Sequence, residues 1–177
     1  MFELATINHA LAFKVVALQF LTAAFLALYL LRKKFTDLND VGEFLSRWGL
    51  WIGLIATAGA AAVTLTHEIV FNLPPCPFCW WQRIFLYPQI VLFGLAIYRN
   101  EPSVAGYSIL LSIGGLLMAL YHHVLQMFPG GGLPCPSEGV SCSQIFFLEF
   151  GYITYPLMAA TLFAFLIVLM LFVRERR

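Results

Sequence analysis

Five stretches, at residues 10–31, 45–70, 80–98, 104–127 and 152–173, are predominantly apolar and each runs for about 20 residues. A helix of that length crosses a hydrocarbon core about 30 Å thick, and in lipid only helices and closed barrels satisfy every backbone polar group. A transmembrane barrel needs short segments of alternating polarity, and the run at 157–173 does not alternate. An all-α integral membrane protein is therefore expected. Composition agrees: 61% of the 177 residues are hydrophobic and 11% are charged, against about half and a quarter in soluble domains. Five spans leave almost no chain for a soluble domain.

A polar stretch at 35–44, with Asp37, Asn39, Asp40 and Glu43, separates the first span from the rest. The expected architecture is a four-helix transmembrane bundle over residues 44–177, with an additional N-terminal transmembrane helix and its linker over residues 1–43. The first span reads as a retained helix, since its basic cluster follows the apolar run and no cleavage site leads into a soluble domain. Arg32, Lys33, Lys34, Arg47, Arg99, Arg174, Arg176 and Arg177 all fall on one side when five spans are threaded. The positive-inside rule makes that side cytoplasmic, with the N-terminus outside and the C-terminus inside. The segments 71–79 and 128–151 then face outward, where disulfides persist.

Those two outer segments hold all four cysteines, as Cys76-Pro77-Phe78-Cys79 and as Cys135 and Cys142. Two dithiols on one face of a bilayer can pass an electron pair between a soluble partner and a lipid-dissolved acceptor, because exchange needs only a thiolate attacking a neighbouring disulfide. Pro74 and Pro75 end the preceding span and place Cys79 near the first turn of the next, where unpaired N–H groups and the helix dipole favour thiolate. Arg83, four residues on, shares that face. Cys79 is thus expected to be the low-pKa, buried-side sulfur and Cys76 its more exposed mate. The run Gly130-Gly131-Gly132 beside Cys135 offers a permissive hinge. Two readings stand beside this one: a zinc site, which suits two residues between cysteines, and plain stapling of the outer loops. His67 and Glu68 read as interfacial, Trp80 and Trp81 as an aromatic belt or a pocket lining, and Gly114-Gly115 and residues 56–62 as small-residue packing surfaces.

The string Cys76-Pro77-Phe78-Cys79-Trp80-Trp81-Gln82-Arg83, followed by Tyr121-His122-His123-Val124-Leu125-Gln126 at the outer end of a span and an outer cysteine loop, resembles the DsbB family of disulfide-bond formation proteins. The Trp-Gln-Arg tail and Pro156 early in the last span look most like its BdbC branch. The likeness covers about residues 44–173; residues 1–43 inherit no role from it. It implies a protein-disulfide:quinone oxidoreductase of the bacterial cytoplasmic membrane, with redox disulfides Cys76–Cys79 and Cys135–Cys142. A reduced thioredoxin-fold oxidase on the extracytoplasmic side would attack at Cys135. Cys142 would then attack Cys76, and the Cys79 thiolate would pass electrons to a membrane quinone, ubiquinone or menaquinone, held non-covalently. Arg83, His122 and Gln126 would be the quinone-side residues, with His123 the competing histidine.

Vitamin K epoxide reductase-like proteins combine the same parts, but their loop pair precedes the quinone-side pair, the reverse of the order here. A membrane scaffold with structural disulfides or a metal site is the non-enzyme alternative. No nucleotide, flavin or haem motif is present, and the expected surroundings are lipid, quinone and a thiol oxidase, with no nucleic acid.

Overall fold

A computed structural model describes residues 2–32, 39–128 and 141–175. Helix α1 covers Phe2–Leu31, α2 Asn39–Ile69, α3 Pro77–Arg99, α4 Ala105–Met127 and α5 Tyr155–Arg174, with a 3-10 turn at Pro102–Val104 before α4. Among the described residues there is no strand beyond one isolated bridge, Glu149 to Ile153. The all-α membrane fold expected from the apolar runs is the fold observed.

Four helices are long and apolar enough to cross a membrane, over Thr6–Leu31, Asn39–Ile69, Pro102–Met127 and Tyr155–Arg174. Helix α3 is long enough at 23 residues but carries Gln82, Arg83 and Gln89 along its length. Those polar side chains find partners inside the bundle. Gln89 donates to Ser112 Oγ at 3.2 Å and accepts from Ser108 Oγ at 2.6 Å, tying α3 to α4. Such interhelical hydrogen bonds hold helices together in lipid, where apolar side chains gain little from leaving the solvent.

Helix starts follow their caps. Thr154 accepts the N–H of Leu157 at 3.4 Å and Pro156 fills the first turn, so α5 begins after the tight turn at 149–153. Helix α2 begins earlier than its apolar run suggests. Asp40 sits in its first turn, where the dipole favours an acid, and Leu45 is already buried in the core. The polar linker expected over 35–44 is corrected accordingly, since from Asn39 onward it is helix; Asp37 lies outside the described residues.

Helices α2, α3, α4 and α5 form a closed ring of neighbours: α3 packs on α2 and α4, and α5 on α4 and α2. Close approach needs small residues at the seams. A Cβ on Gly115 would overlap the Phe163 ring of α5, and one on Gly114 would overlap Phe85 of α3. Helix α1 packs outside this ring, parallel to α5, through Gln19 to Thr161 at 3.3 Å near the middle and Tyr29 to Glu175 at 2.9 Å at the far end. Arg32 also pairs with Glu175 and stacks on Tyr29 and Phe172. Arg174 lines a cleft with Pro102 and Ser103, so these residues share one end of the bundle. Cys76, His67 and His122 occupy the opposite end. Lys33, Lys34, Arg176 and Arg177 lie outside the described residues.

Candidate active site

Polar side chains converge at the end of the ring that carries Cys76, His67 and His122. Cys76 is the N-cap of α3, with Pro77 in the first turn, and its sulfur accepts the N–H of Cys79 at 3.3 Å. The two sulfurs lie 2.9 Å apart as thiols, the reduced form of the pair, compared with about 2.05 Å in a disulfide. One relation expected from the sequence is reversed. Cys76 is the buried sulfur, 4% exposed, and Cys79 the partly exposed one. The cause is cover from α4 and from Cys142. Cys76, Phe78, Leu125 and Cys142 form one buried cluster, with Cys79 and Tyr121 against it.

The apolar run of α3 starts at Trp80, so both sulfurs lie ahead of the span. Their hydrogen bond splits their acidities. The Cys76 thiol holds Cys79 below the ordinary thiol range, against the opposing pull of burial and with help from the Arg83 charge. The same hydrogen bond, reinforced by burial, pushes Cys76 up to about 12. The helix N–H points at Cys76, but the full charge of Arg83 acts on Cys79. Of the two thiols, Cys79 is therefore the one that ionises first.

Arg83 is 8% exposed and turns toward α2. It donates to Glu68 at 2.5 Å and to the Thr64 carbonyl at 3.5 Å, and its guanidinium lies 5.0 Å from the centre of the Trp80 ring. Glu68, read from sequence as interfacial, is thus the counter-charge of Arg83. Fifteen residues separate the two, and only the pairing of α2 with α3 brings them together.

His122, on α4 and 1% exposed, joins α3 to the segment that carries Cys142. Its Nε2 lies 3.1 Å from the Cys142 carbonyl oxygen and 3.7 Å from Cys76 Sγ, and its Nδ1 lies 3.0 Å from the Gln82 amide nitrogen. A carbonyl can only accept, so Nε2 carries the proton, and Nδ1 accepts from Gln82. Gln126, one turn on, donates to the Gln144 carbonyl at 3.1 Å. His122 and Gln126 thus clamp both sides of the segment that follows Cys142. His123 faces elsewhere, 2.8 Å from Thr154 at the start of α5. Gln82 belongs to the Trp-Gln-Arg tail of the motif but receives no role from the sequence; the structure gives it one, as the partner of His122.

Of the residues grouped as quinone-side, Arg83 serves α2 while His122 and Gln126 serve the Cys142 loop. In this state the three share no partner. The surface next to Cys79 nevertheless suits a quinone. Trp80 and Trp81 are half exposed on α3, and two of the five N–H groups of Arg83 are engaged among the described residues. Cys135, its pairing with Cys142 and the Gly130–Gly132 hinge lie outside the described residues.

Comparison with known proteins points one way. Residues 46–173 match the family described as "Disulfide bond formation protein DsbB". "Probable disulfide formation protein C 2" of Bacillus cereus is 29% identical over 134 residues, 76% of this chain and 96% of that protein. "Probable disulfide formation protein" of Coxiella burnetii is 30% identical over 142 residues, 77% of this chain and 97% of its own length. "Disulfide bond formation protein C" of Bacillus subtilis is 33% identical over 121 residues, 67% and 84% of the two chains. No solved structure matches.

Proposed function

The chain belongs to the DsbB family of disulfide bond formation proteins, and from that membership we propose that it reoxidises an extracytoplasmic thioredoxin-fold thiol oxidase and passes the electrons to a membrane quinone. The observation that carries the reading is His122 Nε2, 3.7 Å from Cys76 Sγ and 3.1 Å from the Cys142 carbonyl. One imidazole thereby holds the segment bearing Cys142 against the Cys76–Cys79 pair.

Exchange then runs from the partner through the loop pair to the Cys76–Cys79 pair. A partner thiolate attacks a Cys135–Cys142 disulfide at Cys135, and its second thiol completes the partner's own disulfide, leaving Cys135 and Cys142 reduced. The Cys142 thiolate next attacks Cys76 Sγ of the oxidised Cys76–Cys79 pair and displaces Cys79 as thiolate, the leaving group that the Arg83 charge favours. Cys135 closes the cycle by attacking Cys142 and freeing Cys76. A bound quinone supplies the two-electron sink that regenerates the Cys76–Cys79 disulfide. Arg83 contributes a fixed positive charge with several donors beside that exit, and Glu68 keeps it aimed. Positive-inside placement of Arg32, Arg47, Arg99 and Arg174 supports an extracytoplasmic site and a cytoplasmic C-terminus in a bacterial cytoplasmic membrane.

The test is anaerobic reduction of a soluble quinone analogue by purified protein supplied with a reduced thioredoxin-fold dithiol. Wild type is expected to turn over and Cys79→Ser to be inert. A wild type that reduces no quinone with any such dithiol contradicts the reading.

A further inference from the structure

We propose that reduced Cys76 and Cys79, together with His122, form a binding site for a thiophilic divalent cation of the zinc and cadmium type, and that its capture locks the pair in the reduced state. The inference rests on the dithiol half of the reading above and assigns that dithiol a second ligand.

The donor atoms are already gathered. Both sulfurs and a ring nitrogen of His122 lie within 4.8 Å of one another. The 3.7 Å from Cys76 Sγ to His122 Nε2 is close to the edge of a tetrahedral zinc site, about 3.5 Å for bonds of about 2.3 Å to sulfur and about 2.0 Å to nitrogen. The sulfurs, 2.9 Å apart, must open to about 3.8 Å, the sulfur–sulfur edge of the same tetrahedron. Rotation of the partly exposed Cys79 side chain supplies that movement and also marks the way in. Arg83, the nearest fixed cation, is paired with Glu68, which weakens its repulsion of a bound cation.

A second shell is present as well. To bind metal, Nε2 must lose its proton and Nδ1 must gain one. Gln82, 3.0 Å from Nδ1, can turn its amide to present the carbonyl oxygen instead of the N–H. The imidazole then lets go of the Cys142 carbonyl. Metal capture and docking of the Cys142 segment therefore compete for one nitrogen. The chemistry balances without electron transfer: two thiol protons leave to solvent, two metal–sulfur bonds and one metal–nitrogen bond form, and water takes the fourth position. Both sulfurs remain at the thiol level and cannot close a disulfide while the metal stays.

The experiment uses the full chain in detergent, reduced, desalted anaerobically and titrated with Cd2+ alone. The readouts are thiolate-to-cadmium ultraviolet absorption and the metal-to-protein ratio. Reduced wild type is expected to take up a single cadmium, and oxidised protein none at this site. Cys79→Ser is expected to abolish the absorption, and His122→Ala to weaken binding by at least about tenfold. Gln82→Ala, which keeps all three ligands, is expected to weaken it by about tenfold and stands in if His122→Ala does not fold. A Cys135→Ser/Cys142→Ser double variant is expected to bind within about threefold of wild type. Equal uptake by oxidised protein, indifference to Cys79→Ser, or loss in the double variant overturns the proposal. Protein that turns over quinone but takes up no cadmium sinks this inference alone, whereas inert protein that binds cadmium through these residues sinks the oxidase reading alone.

Discussion

The seam between α3 and α4 and the seam between α1 and α5 are both laced with polar side chains, yet they do different work. On the first, Gln82, His122 and Gln89 join the two helices, and the network ends on two sulfurs that can change their bonding. On the second, Asn8 takes the Tyr155 hydroxyl at 3.1 Å and lies 3.1 Å from His67, and Gln19 reaches Thr161 at 3.3 Å. Neither helix of that seam carries a cysteine. Polar groups buried in a membrane bundle are thus not equivalent: satisfied amides and hydroxyls fix geometry, whereas the same groups aimed at a thiol pair set its chemistry.

The contrast breaks most sharply at Cys79. Cys79→Ser should lower quinone-coupled turnover by at least about a thousandfold, measured beside an unchanged thermal unfolding profile. Glu68→Gln removes the counter-charge of Arg83 and should raise the KM for a quinone analogue by about tenfold while changing kcat less, because a charge-assisted hydrogen bond at a part-exposed site contributes about 1–2 kcal/mol. Equal losses in KM and stability would assign Glu68 a purely structural role.

Within the thiol pair, alkylation of reduced protein should be asymmetric. The thiolate is the reactive form, so modification of Cys79 should rise with pH through its lowered pKa and then level off. Cys76 should stay protected until the pH nears 12. Mass mapping of the alkylated peptides reads this directly, and equal reactivity at neutral pH would contradict the split. On the other seam, Asn8→Leu should cost about 0.6–1.7 kcal/mol of bundle stability, read by unfolding in mixed micelles, with turnover unchanged. Loss of turnover there would join α1 to the site.

The spans were legible because each is a continuous apolar run, and even α3 was found despite Gln82, Arg83 and Gln89. Helix ends were less so, since caps at Thr154 and Cys76 and an acid, Asp40, in the first turn of α2 move them by several residues from the edges of hydrophobicity. The cysteines and Arg83 stood out by residue type and spacing, whereas His122 came from the family resemblance, with His123 competing. Their partners did not: Glu68 with Arg83 and Gln82 with His122 meet only through helix pairing, across separations of 15 and 40 residues. The choice between His122 and His123 is a matter of helical phase, one facing α3 and the other Thr154. Burial of Cys76 over Cys79 depends on a loop from the far end of the chain, which spacing within the Cys-x-x-Cys motif cannot reveal.

The central claim is that the Cys142 segment delivers its sulfur to Cys76. It is tested by mild oxidation of a Cys79→Ser/Cys135→Ser double variant, followed by proteolysis and mass spectrometry of the unreduced peptides. A Cys76–Cys142 disulfide formed within single chains is the predicted product. Protein that leaves both thiols unpaired, or that joins them only between chains, would contradict the account.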